Sequence, residues 1–208
     1  MFTDHMGTLI DLDQSETRVA FAAGPETDLF RDPASEAAVS SAPFLSRAAP
    51  EQFTLTVRAR PELASTYDAG ALLLYADEEH WVKLACELTD LGYPAIVSVV
   101  TRGRSDDCNG EPQPAGEARL RLSRRGNTLG LYYGAADGWK MHRLLTVPVP
   151  LRAADGRGPQ AADLRVGLSV QSPTGAGCRA VFDEIEWREE PVTDFRTGTL
   201  SAGTAPDS

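Results

Sequence analysis

The sequence holds only three cysteines, Cys86, Cys108 and Cys178, among 208 residues. Three thiols cannot all pair within one chain, and none has the close C-x-x-C spacing of a structural zinc site or redox motif. Reduced thiols in a cytoplasmic protein are the expectation. Long hydrophobic runs are also missing. The apolar stretches at residues 69–75 and 95–100 fall far short of the roughly 20 residues that span a bilayer. Met1-Phe2-Thr3-Asp4-His5 lacks the basic segment and apolar stretch of a secretory signal. Positive charge is scarce: the formal net charge of -10 repels a phosphate backbone or an anionic membrane surface over about one Debye length. Neither nucleic acid nor membrane is therefore expected as a partner. The absence of a G-x-S-x-G elbow, a P-loop and a G-x-G-x-x-G motif removes the serine-hydrolase, nucleotidase and dinucleotide readings. His5, His80 and His142 are scattered, so no metal site and no cofactor is expected.

What is present reads with a period of two. Phe53-Thr54-Leu55-Thr56-Val57-Arg58 alternates apolar and polar side chains, as a strand with one buried face should. Residues 69–75 are continuously apolar, which suggests a strand covered on both faces. Val82, Leu84, Cys86 and Leu88 share one face of the next run, and Trp81, Lys83, Ala85 and Glu87 share the other. After Asp90-Leu91-Gly92, residues 95–102 pair back as a hairpin. The Gly, Pro, Asn and Asp density of residues 104–116 points to a long exposed loop. A second hairpin follows around Arg124-Arg125-Gly126-Asn127, with Leu120, Leu122, Leu129, Leu131 and Tyr133 inward. Residues 164–170 and 179–188 supply the last strands, with a slip at Asp183-Glu184 that suggests a β-bulge. With 42% hydrophobic residues the chain can bury a sizeable core. A single all-β domain is expected over residues 1–190, followed by a flexible tail over 191–208, where large apolar residues are few.

Several blocks, in order, resemble one family. Residues 69–83, Ala-Gly-Ala-Leu-Leu-Leu-Tyr-Ala-Asp-Glu-Glu-His-Trp-Val-Lys, are similar to the DUF1349 pattern AGLMVRxDExxWLK, and residues 97–106 to its SVVTRGYSDW. Thr27-Asp28-Leu29-Phe30-Arg31 resembles its TDFWR, and Val166-Gly167-Leu168-Ser169-Val170-Gln171-Ser172-Pro173 resembles a later block. Two departures stand out: Asp107 replaces the tryptophan of SDW, and Leu29-Phe30 replaces the aromatic pair of TDFW. The resemblance implies a two-sheet antiparallel jelly-roll sandwich, concanavalin A-like. It implies no settled activity, and a fold by itself licenses none.

The candidate site is the face bearing Trp81, Lys83 and Glu87, joined by Ser98 and Arg102 from the neighbouring strand and by Ser105 and Asp106 beyond it. An aromatic platform with fixed polar groups is what a saccharide or other small polar ligand requires. The plainer reading is a solvated charge pattern beside a packing tryptophan. Asp28 and Arg31 read as a tie between the N-terminal segment and the sandwich, or as one end of the cleft. Glu184 and Glu186 invite comparison with retaining glucanases, whose two carboxyl groups stand about 5–5.5 Å apart, although the ExDxxE pattern is missing. Asp106, Asp107 and Asn109 could offer oxygen ligands to calcium, against the plainer reading of a solvated acidic loop. Binding rather than catalysis is the expectation. A sugar-active enzyme using Glu87 and Asp106, or a non-catalytic protein-interaction module, is the alternative.

Overall fold

The computed structural model describes residues 1–3, 6–148 and 164–201. Among them there is no helix, and the strands form two antiparallel sheets packed face to face as a jelly-roll sandwich. The seven-stranded sheet runs in the order β1 (Ile10–Gln14), β2 (Val19–Ala23), β15 (Cys178–Arg188), β6 (Gln52–Pro61), β11 (Ala118–Arg125), β12 (Thr128–Ala135), β13 (Gly138–Thr146). The six-stranded sheet runs β10 (Arg104–Pro112), β9 (Pro94–Arg102), β8 (His80–Leu88), β7 (Ala69–Asp77), β14 (Arg165–Gln171), β5 (Phe44–Ala48). A separate hairpin pairs β3 (Leu29–Arg31) with β4 (Ala38–Ser40).

Alternation along the strands builds the core. Leu72, Leu74, Val82, Leu84 and Cys86 from one sheet meet Phe53, Leu55, Val57, Leu120 and Leu122 from the other, all fully buried. Burial pushes the Cys86 thiol up to about 12, so it behaves as a small apolar side chain. Phe21 stacks on Phe182 at 5.8 Å, and Trp187 stacks on Phe53 at 5.2 Å beneath the Arg47 guanidinium.

Both expected hairpins form, β8 with β9 and β11 with β12. The slip in β15 is a bulge: its register against β6 shifts between Asp183 and Glu186, and Glu184 carries a positive φ of 50°. Three features differ from the sequence reading. Residues 104–112 are an edge strand, not loop; they pair with β9 through the backbone, and polar side chains are what an exposed edge uses against further pairing. The segment after Pro191 makes specific contacts that its composition gave no reason to expect. Val192 is fully buried, Tyr132 donates to the Phe195 carbonyl at 2.8 Å, and Arg121 donates to the Gly198 carbonyl at 2.7 Å. The rest of that segment, residues 202–208, lies outside the described residues. The third difference concerns the β3–β4 hairpin, which covers part of the outer face of the six-stranded sheet and decides the site.

Candidate functional site

Strand parity places Trp81, Lys83, Ala85 and Glu87 of β8 on the face turned away from the other sheet, as the sequence requires. That face is not open along its length. Leu29, Ala42 and Phe44 close over Trp81, Leu73 and Val99 in a second apolar cluster. Trp81 is therefore 1% exposed and its indole N–H has no hydrogen-bond partner among the described residues. It is a packing residue under a flap, which corrects the expectation of a ligand platform.

Beyond Trp81 the face opens into a pocket of about 200 Å³ lined by Asp28, Phe30, Tyr67, Lys83, Glu87, Val99, Asp107 and Gln171. Lys83, one of two lysines in the sequence, is 3% exposed at its floor. A buried ammonium is tolerated only when it is paired and hydrogen-bonded. Lys83 Nζ donates to Gln171 Oε1 at 2.6 Å and to the Leu29 carbonyl at 3.2 Å, with Asp28 Oδ1 at 3.7 Å. The Leu29 bond ties the flap to the sheet. Gln171 turns its amide nitrogen to the Tyr67 carbonyl at 3.0 Å and to Glu87 Oε2 at 3.4 Å.

Glu87 is 6% exposed, and burial pushes its carboxyl up to about 8 against the opposing pull of Lys83. At neutral pH it is largely a neutral acid, able both to donate and to accept. Asp107, at the exposed rim, is also raised, first by desolvation at the pocket mouth, with a backbone hydrogen bond from Cys108 opposing.

The flap is held at several points. Arg31 donates its backbone N–H to Ser105 Oγ at 3.0 Å and its Nε to the Gly103 carbonyl at 2.8 Å, and it pairs with Glu79 at 3.0 Å. Ser105 also bonds Thr101 Oγ1 at 2.8 Å. Ser105 thus lies on the expected face but anchors the flap. Asp28 both ties the N-terminal segment and lines the pocket.

Three expected site residues lie elsewhere. Ser98 and Arg102 pair in register with Leu84 and His80, and Asp106 with Val100, so all three point to the inter-sheet side. Ser98 Oγ bonds His142 Nε2 at 2.8 Å, and Arg102 donates to the Thr146 carbonyl at 2.8 Å. They help to close one edge of the sandwich against β13. The Glu87–Asp106 carboxylate pair is removed by the same parity, as is convergence of Asp106, Asp107 and Asn109 on one ion. Glu184 pairs with Arg58 and Arg119, and Glu186 with Arg188. These acids serve ion pairs on the seven-stranded sheet.

Three of the residues that parity missed had signals. Gln171 lies within the Val166–Pro173 block, and Phe30 and Asp107 fall at the two departures from the pattern that the chain resembles. Tyr67 had none; it sits in a turn with a positive φ of 71°.

Comparison with known proteins gives three likenesses. The chain is 30% identical over 93 residues to "Regulation of enolase protein 1" of Saccharomyces cerevisiae, an alignment that covers 45% of this chain and 46% of that protein. A functionally unknown protein from Saccharomyces cerevisiae has a crystal structure similar at a TM-score of 0.76 and 22% identity, over 89% of this chain and 95% of that one. The GH43 protein BlXynB of Bacillus licheniformis matches at a TM-score of 0.63 and 14% identity, over 83% of this chain but 33% of that one. At these identities the two structures speak for the fold alone. The family of proteins of unknown function DUF1349 matches residues 11–190, and the chain belongs to it.

Proposed function

We propose that this protein binds a small polar ligand, a carbohydrate of about one ring, in the pocket between the β3–β4 flap and the six-stranded sheet. The observation that carries the reading is the Lys83–Gln171–Glu87 chain of buried polar groups at the floor of a pocket rimmed by Phe30 and Tyr67. Buried polar groups lower stability unless they are satisfied, and here they converge on a concavity rather than on the core. The volume lies below the roughly 300–1,000 Å³ of drug-sized sites, which suits a single sugar ring. Aromatic side chains offer faces to such a ring while carboxyl oxygens accept from its hydroxyls. Similarity of fold to a GH43 glycoside hydrolase protein is compatible with a sugar ligand and carries no further weight.

The test is a thermal-shift screen of the purified chain against mono- and oligosaccharides, repeated on Asp107→Ala and Tyr67→Asn. Asparagine tolerates the positive φ at position 67, so that variant removes the ring and keeps the turn. We expect a concentration-dependent rise in melting temperature that both variants abolish while remaining folded. No shift with any sugar sinks the reading and turns attention to a protein partner, the kind of role suggested by the name of the yeast relative.

A further inference from the structure

The nitrogen donors in this pocket are already engaged, while its carboxyl groups keep acceptor capacity. Lys83 Nζ is directed at Leu29, Gln171 and Asp28, and the Gln171 amide nitrogen at Tyr67 and Glu87. What faces the cavity with capacity left, besides the Tyr67 hydroxyl, is carboxyl: Asp107, the second oxygen of Asp28, whose Oδ1 takes the Leu29 N–H at 2.7 Å, and Glu87, which accepts or, while protonated, donates. The charges are equally one-sided, one ammonium against two aspartates and an acid. Phe30 and Tyr67 add aromatic faces, which attract cations through their ring quadrupoles. A bare metal ion is a poor fit, since among the described residues no three His, Cys, Asp or Glu side chains are grouped to hold one.

We propose that the pocket selects a hydroxylated organic amine, an amino sugar over its neutral counterparts, with the ligand's ammonium taken by Glu87. The inference rests on the saccharide reading above and narrows it. Its physical basis is the placement of Glu87, 6% exposed, lining the cavity, and bonded on one oxygen by the Gln171 amide. The groups acting on this carboxyl are Lys83 on its own strand, Asp107 on β10, Asp28 before the flap and Asp90 in the β8–β9 turn. Of these only Lys83 favours the ionised form, and burial outweighs it. An arriving ammonium supplies the second positive charge, and Glu87 gives up its proton to solvent as the pair forms. Binding is thus coupled to release of one proton from the protein.

The experiment is isothermal calorimetry with glucosamine, glucose, N-acetylglucosamine and ethanolamine. It is run below neutral pH, where Glu87 and the amines are all protonated, in two buffers of different ionisation heat. The expected result is glucosamine binding at least about tenfold tighter than glucose or N-acetylglucosamine, with an enthalpy that differs between buffers by about one released proton. Glu87→Gln, which keeps the shape and the neutral charge, should lose both the preference and the buffer dependence while still binding glucose weakly. Asp107→Asn, at the exposed rim, should weaken the preference without removing the proton release, and it serves if Glu87→Gln fails to fold. Glucose binding as tightly as glucosamine, or glucosamine binding with no proton release, overturns the amine inference and leaves the saccharide reading standing. Ethanolamine binding where no sugar does upholds the cation and overturns the saccharide. Silence from all four overturns the amine inference, and the saccharide reading then stands or falls by the wider thermal-shift screen.

Discussion

Glu87 sets the clearest residue-scale expectation. Its folded pKa stands near 8 against an ordinary value of 4.5. A carboxyl raised in this way contributes stability that is fully present below the unfolded value and is lost as pH rises toward the folded one, because the native state must hold a proton that the unfolded chain has released. The slope approaches about 1.4 kcal/mol per pH unit inside that window. Glu87→Gln keeps the neutral form at every pH, so its stability relative to the parent should climb between pH 5 and 8 by a few kcal/mol in all, read from denaturant midpoints. A pH-independent difference would mean that Glu87 is ionised throughout. The sequence made this residue legible because Trp81, Lys83 and Glu87 share one uninterrupted strand, on which parity is certain. It failed one strand further on. The turn between β8 and β9 holds five residues, and the single Gly103 at φ 77° separates β9 from β10. One residue more or fewer in either turn exchanges the faces, and nothing in the composition counts those residues. Asp107 therefore stands where Asp106 was expected, and Val99 and Thr101 stand in place of Ser98 and Arg102.

At the scale of elements, the site is made by the β3–β4 flap, whose first strand lies in the Thr27–Arg31 block but whose length shows no periodicity. Its two strands are three residues each, and β4 is wholly exposed. No periodicity can be read over three residues, so Trp81 looked open when Leu29 and Phe44 in fact cover it. The flap is fixed to the sheet by Lys83 beneath Leu29 and by Ser105 and Gly103 beneath Arg31. Lys83→Met keeps an unbranched apolar side chain and removes the ammonium, which stands 5.8 Å from the centre of the Trp81 ring. It leaves the Leu29 carbonyl and Gln171 Oε1 without their donor, at about 1–3 kcal/mol for each buried group left unsatisfied. We expect amide hydrogen exchange to accelerate in Leu29–Arg31 and Ala38–Ser40 before the central strands respond. Uniform acceleration over both sheets would show that Lys83 supports the whole sandwich and not the flap. The long hairpins were legible for the converse reason: β8 and β9 run nine residues each, enough for alternation to declare itself.

For the whole molecule, two titrating groups on opposite sides of the same sheet pull stability in opposite directions. His142 lies between the sheets at the edge where β13 meets β9 and β10. Its ring bonds Ser98, and it fits there because residue 110 is glycine, at which a Cβ would stand 2.6 Å from His142 Cε1. Burial, and then the neighbouring Arg143, hold the imidazole below its ordinary value of 6.5. A histidine lowered in the fold is neutral there, so the unfolded chain takes up a proton first, and stability falls as pH drops through 6.5 toward the folded value. Glu87 removes stability on the other side, as pH rises above about 4.5 toward 8. Just below pH 6.5 the two slopes oppose each other, and above 6.5 only the Glu87 slope remains. Thus His142→Gln, which can still bond Ser98, should leave stability falling as pH rises below 6.5, and Glu87→Gln should leave it rising there. The groups share no partner and face away from each other, so the double variant should equal the sum of the singles within about 0.5 kcal/mol. Measured non-additivity well beyond that would mean that the pocket and the closed edge of the sandwich respond to each other through β9, and ligand binding should then alter exchange at His142 as well.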